Sequence, residues 1–208
     1  MTKTAIPLPS KRDRTRQALL EAAIELIAER GLESISIDDL TRSAGMARGT
    51  FYNYFETRDD VVRAVIELIK QRAEEQVIER VPAGLNDAAT VSCILYGFLQ
   101  FGVANPNLGW TLVRVGGGSH WVSNERCSRA DEPLQNLLGE QTPLLLGLTY
   151  IEGVMLMIMR RRLEDEITAE EAEEILKLAL HGLGIPMNRL PALLRQAREF
   201  AQTLQQAT

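Results

Sequence analysis

Residues 44–58 read AGMARGTFYNYFETR, from Ala44 to Arg58, and this stretch decides the fold. Gly45-Met46 stands where a tight turn is needed, because a left-handed backbone is cheap only for glycine. After it, Ala47 to Tyr54 reads as a short helix. Phe51 and Phe55 lie four residues apart, share one helical face and anchor it to a core. That leaves Arg48, Gly49, Thr50, Tyr52, Asn53 and Tyr54 directed away from the core. Upstream, Ser36 and Asp39 have the spacing of a capping box, in which each side chain satisfies an orphan backbone N–H. They open another short helix whose Ile37, Leu40 and Ala44 point inward. The pattern is a helix-turn-helix with a bracing helix over 38–44, a turn at 45–46 and a presented helix over 47–54.

The presented residues suit DNA. Arg48 matches phosphates or guanine edges, Thr50 and the hydroxyls of Tyr52 and Tyr54 hydrogen-bond phosphates, and Gly49 admits a close backbone approach. Asn53 is a further candidate, although its position can face sideways. Arg58 opens the next helix beside free backbone N–H groups, a favourable place for a phosphate. A bare helix–glycine–helix is equally an ordinary hairpin with a solvated face. The cluster of aromatics and hydroxyls on so short a helix, together with a basic arm, favours the DNA reading.

Charge supports that arm. The 208-residue chain carries −5 overall with a pI of about 5.2, which by itself argues against nucleic acid. Up to Arg58, however, nine Lys/Arg meet eight acids, and before Leu19 five basic residues meet Asp13 alone. The remainder carries −6. Hydrophobic content of 45% supplies a substantial core. Cys93 and Cys127 lack paired spacing and read as idle thiols of a reducing compartment. No signal peptide is evident, and the longest apolar stretch, Leu144 to Met159, is interrupted by Glu152. The expectation is a cytoplasmic protein with no membrane partner.

Helical periodicity dominates elsewhere, so the fold class is all-α. Helices are expected over 11–30, after Ser36, over 47–54, from Thr57 to about Arg80, and over 87–104, 107–115, 120–138, 142–163, 168–182 and 187–205. Thr57/Asp60 and Thr168/Glu171 repeat the capping-box spacing. The chain divides into a flexible leader (1–10), a helix-turn-helix domain (11–57), a connecting helix (58–85) and a larger C-terminal domain (86–208).

Gly31-Leu32, Ala44-Gly45-Met46, the run Gly49-Thr50-Phe51-Tyr52-Asn53-Tyr54-Phe55 and Arg58 closely resemble the DNA-binding signature of the tetracycline-repressor (TetR) family. The resemblance covers about residues 11–65. It implies an all-helical homodimer with a three-helix DNA-binding domain, and a C-terminal domain that dimerises and binds a small effector. It further implies repression at a palindromic operator, released by the effector. Carried over by position, Ser36, Arg48, Gly49, Thr50, Tyr52, Tyr54 and Arg58 are implied DNA contacts. The chain departs from the pattern at Ala47, where many members have a capping serine, and at Thr41, where an alanine is commonly buried.

In the C-terminal half, two apolar stripes are candidates for a dimer interface. One is Leu145, Leu148, Ile151, Met155 and Ile158, and the other is Ile175, Leu176, Leu178 and Ala179. An internal core explains either stripe as well. Tyr96, Phe101, Trp110, Trp121, Tyr150 and Met155, with Arg114 as a polar anchor, are candidates for a partly hydrophobic effector pocket. Arg160-Arg161-Arg162 and Glu164-Asp165-Glu166 read as a salt-bridged helix end.

No catalytic constellation is visible. His120 and His181 lack a metal-ligand pattern, Ser119-His120 lacks a nucleophile elbow, and Gly116–Ser119 lacks the lysine of a phosphate loop. A non-enzymatic protein without cofactor or metal is expected. The alternative is a helical protein-interaction module in which Tyr52 and Tyr54 meet a protein groove.

Overall fold

The computed structural model describes residues 10–116 and 128–206. Ten α-helices and no strands occur among them: α1 (Lys11–Arg30), α2 (Ile37–Ser43), α3 (Arg48–Phe51), α4 (Arg58–Ala73), α5 (Asp87–Ala104), α6 (Pro106–Val115), α7 (Ser128–Leu138), α8 (Leu144–Leu163), α9 (Ala169–Gly182) and α10 (Leu190–Gln206). A 3₁₀ turn (Leu32–Ser34) follows α1, and a π turn (Glu74–Ile78) extends α4.

Local chemistry sets the helix starts. Ser10/Asp13, Ser36/Asp39, Thr57/Asp60 and Thr168/Glu171 all form reciprocal capping boxes. At α4, the Asp60 N–H donates to Thr57 Oγ1 at 3.2 Å, and the Thr57 N–H donates to the Asp60 carboxylate at 2.8 Å. Gly31, at φ +80°, closes α1 by donating its N–H to the Ile27 carbonyl at 2.9 Å. Gly45 makes the interhelical turn at φ +65°, and the following Met46 N–H reaches back to the Thr41 carbonyl at 2.8 Å. Both backbones favour glycine.

Three boundaries differ from the sequence expectation. The regular part of α3 ends at Phe51 rather than Tyr54. Beyond it the Asn53 and Tyr54 N–H groups bond three residues back, to Thr50 and Phe51, as a tightening helix end does. Regular α4 stops at Ala73, where the Glu79 N–H bonds five residues back to Glu74 at 2.9 Å. In α10 the helix starts at Leu190, because 186–189 forms a turn first.

The N-terminal core gathers Leu20, Ala23, Ile24 and Ile27 of α1 with Leu40, Phe51, Phe55, Val61 and Val65. Ile37 and Ala44 are only partly buried, whereas Thr41 is fully buried. Its hydroxyl donates to the Ile37 carbonyl at 3.0 Å, so the departure from alanine leaves no unsatisfied polar atom. In the C-terminal part α5 is central, with α10, α7, α8 and α6 packed around it. The helix closest to a membrane span is α5, not α8. Its 18 residues are long and apolar enough (mean hydropathy 1.3), and 67% of them are buried inside the protein. Cys93 lies buried on this helix, and burial pushes its thiol pKa up to about 11, away from reactivity. Cys127 lies outside the described residues.

The two apolar stripes of α8 and α9 are largely internal. Ile151, Met155 and Ile158 are buried, as are Leu176 and Ala179. Leu148 and Ile175 are partly buried, which leaves Leu145 and Leu178 as the exposed members. A helix apolar on most sides gives no periodic signal for which side meets the core.

Thr57→Ala should lower stability by about 1 kcal/mol, with a fall in Tm of roughly 2–4 °C in a thermal melt. Hydrogen bonds from Ser10, Ser36 and Thr57 hold the carboxyls of Asp13, Asp39 and Asp60 below their ordinary range. The unfolded chain takes up these protons first. The caps therefore contribute fully above about pH 4, and their contribution fades as pH falls through the lowered values. A Thr57→Ala variant as stable as the wild type at pH 7 would contradict this.

Candidate nucleic-acid interface

α3 is held from beneath by one fully buried residue. Phe51 lies in the core with its ring 5.9 Å from Phe55, and Tyr52 stands edge-on to it at 5.4 Å. This anchoring turns Arg48, Gly49, Tyr52 and Asn53 outward, where all four are exposed, while Thr50 and Tyr54 are half-buried. A methyl group built on Gly49 would meet no atom within 4 Å. The protein's own packing therefore does not require glycine at this position. Ala47 makes no side-chain cap, so α3 begins without that support.

The start of α1 lies beside α3. Lys11, Arg12 and Thr15 line one broad surface cleft together with Thr50, Asn53 and Tyr54. None of the three α1 residues was singled out individually in the sequence. The excess of basic residues before Leu19 was the available signal, but only the fold brings that segment to the recognition helix. Two cations and several hydroxyl and amide groups in one cleft offer an anionic polymer both charge and hydrogen bonds.

Arg48 is not idle. Its Nη1 donates to both carboxylate oxygens of Asp38, at 3.0 and 3.1 Å, across the turn between α2 and α3. Both side chains are more than half exposed, so the pair is a weak tether and not a structural tie. Ser36 and Arg58 have roles inside the domain. The Ser36 hydroxyl caps α2 through Asp39. Arg58 is half-buried, with Nη1 3.5 Å from the Ile35 carbonyl and Nε 3.7 Å from Asp59.

The domain is not isolated from the rest. Thr111 of α6 donates to the Ile24 carbonyl at 3.1 Å, and Arg114 Nη1 donates to the Ile27 carbonyl at 2.8 Å. Both acceptors lie on α1. The Arg114 guanidinium also sits 5.2 Å above the Trp110 ring.

The residues named for an effector pocket are not gathered around one cavity. Arg114 and Trp110 form the contact with α1 just described. Met155 is core, and Tyr150 is exposed with its hydroxyl 3.5 Å from the Ala179 carbonyl. Tyr96 is buried, with its hydroxyl 3.4 Å from Glu173, which Arg198 grips through two bonds of 2.6 and 2.8 Å. Phe101 lines a cleft at the other side of α5. Trp121, like His120, lies outside the described residues. Among the described residues, no group of three or more His, Cys, Asp or Glu is placed to hold a metal.

An all-helical chain whose N-terminal helix-turn-helix leaves a basic, hydroxyl-rich face exposed defines a helix-turn-helix protein. Residues 19–65 match the family described as bacterial regulatory proteins, tetR family. The chain is 36% identical over 88 residues to the uncharacterized HTH-type transcriptional regulator YvdT of Bacillus subtilis (strain 168), covering 42% of this chain and 45% of that protein. The chain spans about half the length of the curated relatives it matches. The fold matches a TetR-like transcriptional regulator from Rhodococcus sp. RHA1 with TM-score 0.65 and 22% identity, over 86% of this chain and all of the other. RolR, solved in complex with resorcinol, matches with TM-score 0.53 and 23% identity, over 92% of this chain and 94% of RolR.

Asp38→Asn should release Arg48 and remove a negative charge beside α3. Affinity for double-stranded DNA is expected to rise about two- to fivefold at low salt, as read by fluorescence anisotropy. An unchanged or weaker affinity would mean that Asp38 does not restrain Arg48.

Proposed function

We propose that this protein is a sequence-specific DNA-binding transcriptional regulator. In this reading it is a cytoplasmic homodimer that represses from a palindromic operator and is released by a small-molecule effector. The observation that carries the reading is the outward face of α3: Arg48, Gly49, Tyr52 and Asn53 exposed together around a buried Phe51, with Lys11 and Arg12 alongside. Tyr52 and Arg48 reach toward phosphates and base edges, Thr50 and Tyr54 contact phosphates, and Gly49 lets the backbone approach. Ser36 and Arg58 act from the adjoining helix starts, where N–H groups favour a phosphate.

Dimerisation supplies the second recognition helix. Two copies of α3 about 34–36 Å apart, or a multiple of that, would match a palindrome on one face of the duplex. The outward side of α8 and α9 supports this. Leu146, Met157 and Leu178 are 59%, 50% and 62% exposed, with Leu145 and Tyr150 beside them. Gly153 lies between Tyr150 and Met157 on α8, and a methyl group there would meet nothing within 4 Å. A mid-helix glycine costs up to about 1 kcal/mol relative to alanine. Close approach of a second α8 accounts for it.

The working division is a DNA-binding domain over 11–57, a connecting helix region over 58–85 and an effector and dimerisation domain over 86–208. The contact of α6 with α1 gives the C-terminal domain direct purchase on the DNA-binding domain. That RolR was solved with resorcinol is consistent with a fold that accepts a small molecule.

Tyr52→Ala should leave the helical circular-dichroism signal and Tm intact and weaken operator binding at least tenfold, about the energy of one good contact. Wild-type binding should also fall steeply with salt. Full affinity in the variant would remove Tyr52 from the interface. The double variant Leu146→Asp/Leu178→Asp should sediment as a monomer at micromolar concentration, where the wild type sediments as a dimer. A wild type that sediments as a monomer would refute the dimer.

A further inference from the structure

A second cleft opens away from the DNA face, where the π turn of α4, the second half of α5 and the end of α10 converge. It is a shallow cleft of about 60 Å³, open to solvent. The floor is apolar: Val77 from the π turn, Phe101 from α5, and Ala201 and Leu204 from α10. Gly97 fixes how closely these elements meet, since a methyl group there would lie 2.7 Å from Val77 Cγ1 and 3.2 Å from the Phe200 ring.

The rim is polar in a particular way. Gln76, Gln100 and Gln205 present carboxamides, and Arg80 is the charged residue of the lining, which contains no carboxylate. Arg80 makes no ion pair with a carboxylate of the described residues. Asn105, the remaining amide, already donates to the Phe101 carbonyl at 2.8 Å.

An apolar floor, uncommitted amides and one arginine select a ligand with a short hydrocarbon body and an anionic head. The guanidinium fork matches a carboxylate, and a cationic head is repelled. Wide turns of the π type recur at functional sites. Here the turn continues the connecting helix that begins at Arg58 and packs against α1, so occupancy of the cleft bears on a helix in direct contact with the proposed DNA-binding domain.

We propose that this cleft binds a small amphipathic carboxylate, and that such a compound is the effector of the regulator proposed above, a role that rests on that reading. The tail lies on Val77, Phe101 and Leu204, and the head pairs with Arg80 between the glutamine amides.

The test uses the full-length protein and three probes of equal chain length: octanoate, octylammonium and 1-octanol. Calorimetric titration should show octanoate binding at least tenfold tighter than either other probe. Arg80→Gln should weaken octanoate at least tenfold with an unchanged melting temperature, and Gln100→Trp should fill the cleft and do the same. Octanoate that fails to bind, or that binds Arg80→Gln as well as wild type, overturns the site. In parallel, octanoate should shift the affinity for a selected operator in wild type and lose that effect in Arg80→Gln. Arg80-dependent binding with operator affinity unmoved overturns the effector role. Arg80-dependent binding by a protein with no DNA affinity upholds the site and refutes the regulator reading instead.

Discussion

The structure depends on α1 being buried from two directions. Leu19, Leu20, Ala23, Ile24 and Ile27 are all at most 2% exposed, because α4 covers one side of the helix and α6 another. Fully burying a leucine or isoleucine side chain contributes about 1.5–3 kcal/mol. An amphipathic helix with one partner would leave one side wet. Here the second partner also hydrogen-bonds the backbone, Thr111 to Ile24 and Arg114 to Ile27. The Arg114 bond falls in the last turn of α1, where carbonyl groups carry partial negative charge and a cation is favoured. The helix that braces α3 is thus also tied to the C-terminal helices through α6.

This constraint shapes the recognition surface. α3 is too short to hold itself, having one helical turn and no side-chain cap, and Phe51 pins it to the core around α1. The orientation of α3 follows α1, and α1 follows α6. α3 is thus linked to α6 through the packed core around α1. The ion pair of Arg72 with Glu21 ties α4 to α1 in the same assembly.

Much of the helix layout was legible because it is encoded locally. Ser36/Asp39, Thr57/Asp60 and Thr168/Glu171 announce their helices through side-chain-to-backbone bonds three residues long, and Gly31 and Gly45 stop or turn the chain. Of the six residues that the spacing of Phe51 and Phe55 directs outward, Arg48, Gly49, Tyr52 and Asn53 are exposed, while Thr50 and Tyr54 are half-buried. What was not legible depends on contacts distant in sequence. Arg114 reads as a polar group near an apolar stretch, and only the fold shows its guanidinium on a carbonyl 87 residues away. Lys11, Arg12 and Thr15 join α3 only when α1 folds back beside it. In α8 the stripe of Ile151, Met155 and Ile158 went to the core, while Leu146 and Met157 stayed outside, a choice that periodicity alone does not make. Of the aromatics proposed for one pocket, Tyr96 and Tyr150 meet α9 at Glu173 and Ala179, Phe101 faces the π turn and α10, and Trp110 stacks with Arg114 of its own helix.

The measurement that tests the account most directly is selection of bound sequences from a random double-stranded DNA pool with the purified protein at moderate salt. The account predicts enrichment of a palindrome whose half-sites are spaced by one helical turn or a multiple, as two copies of α3 on a two-fold axis require. A pool that stays random while the protein remains folded would contradict it.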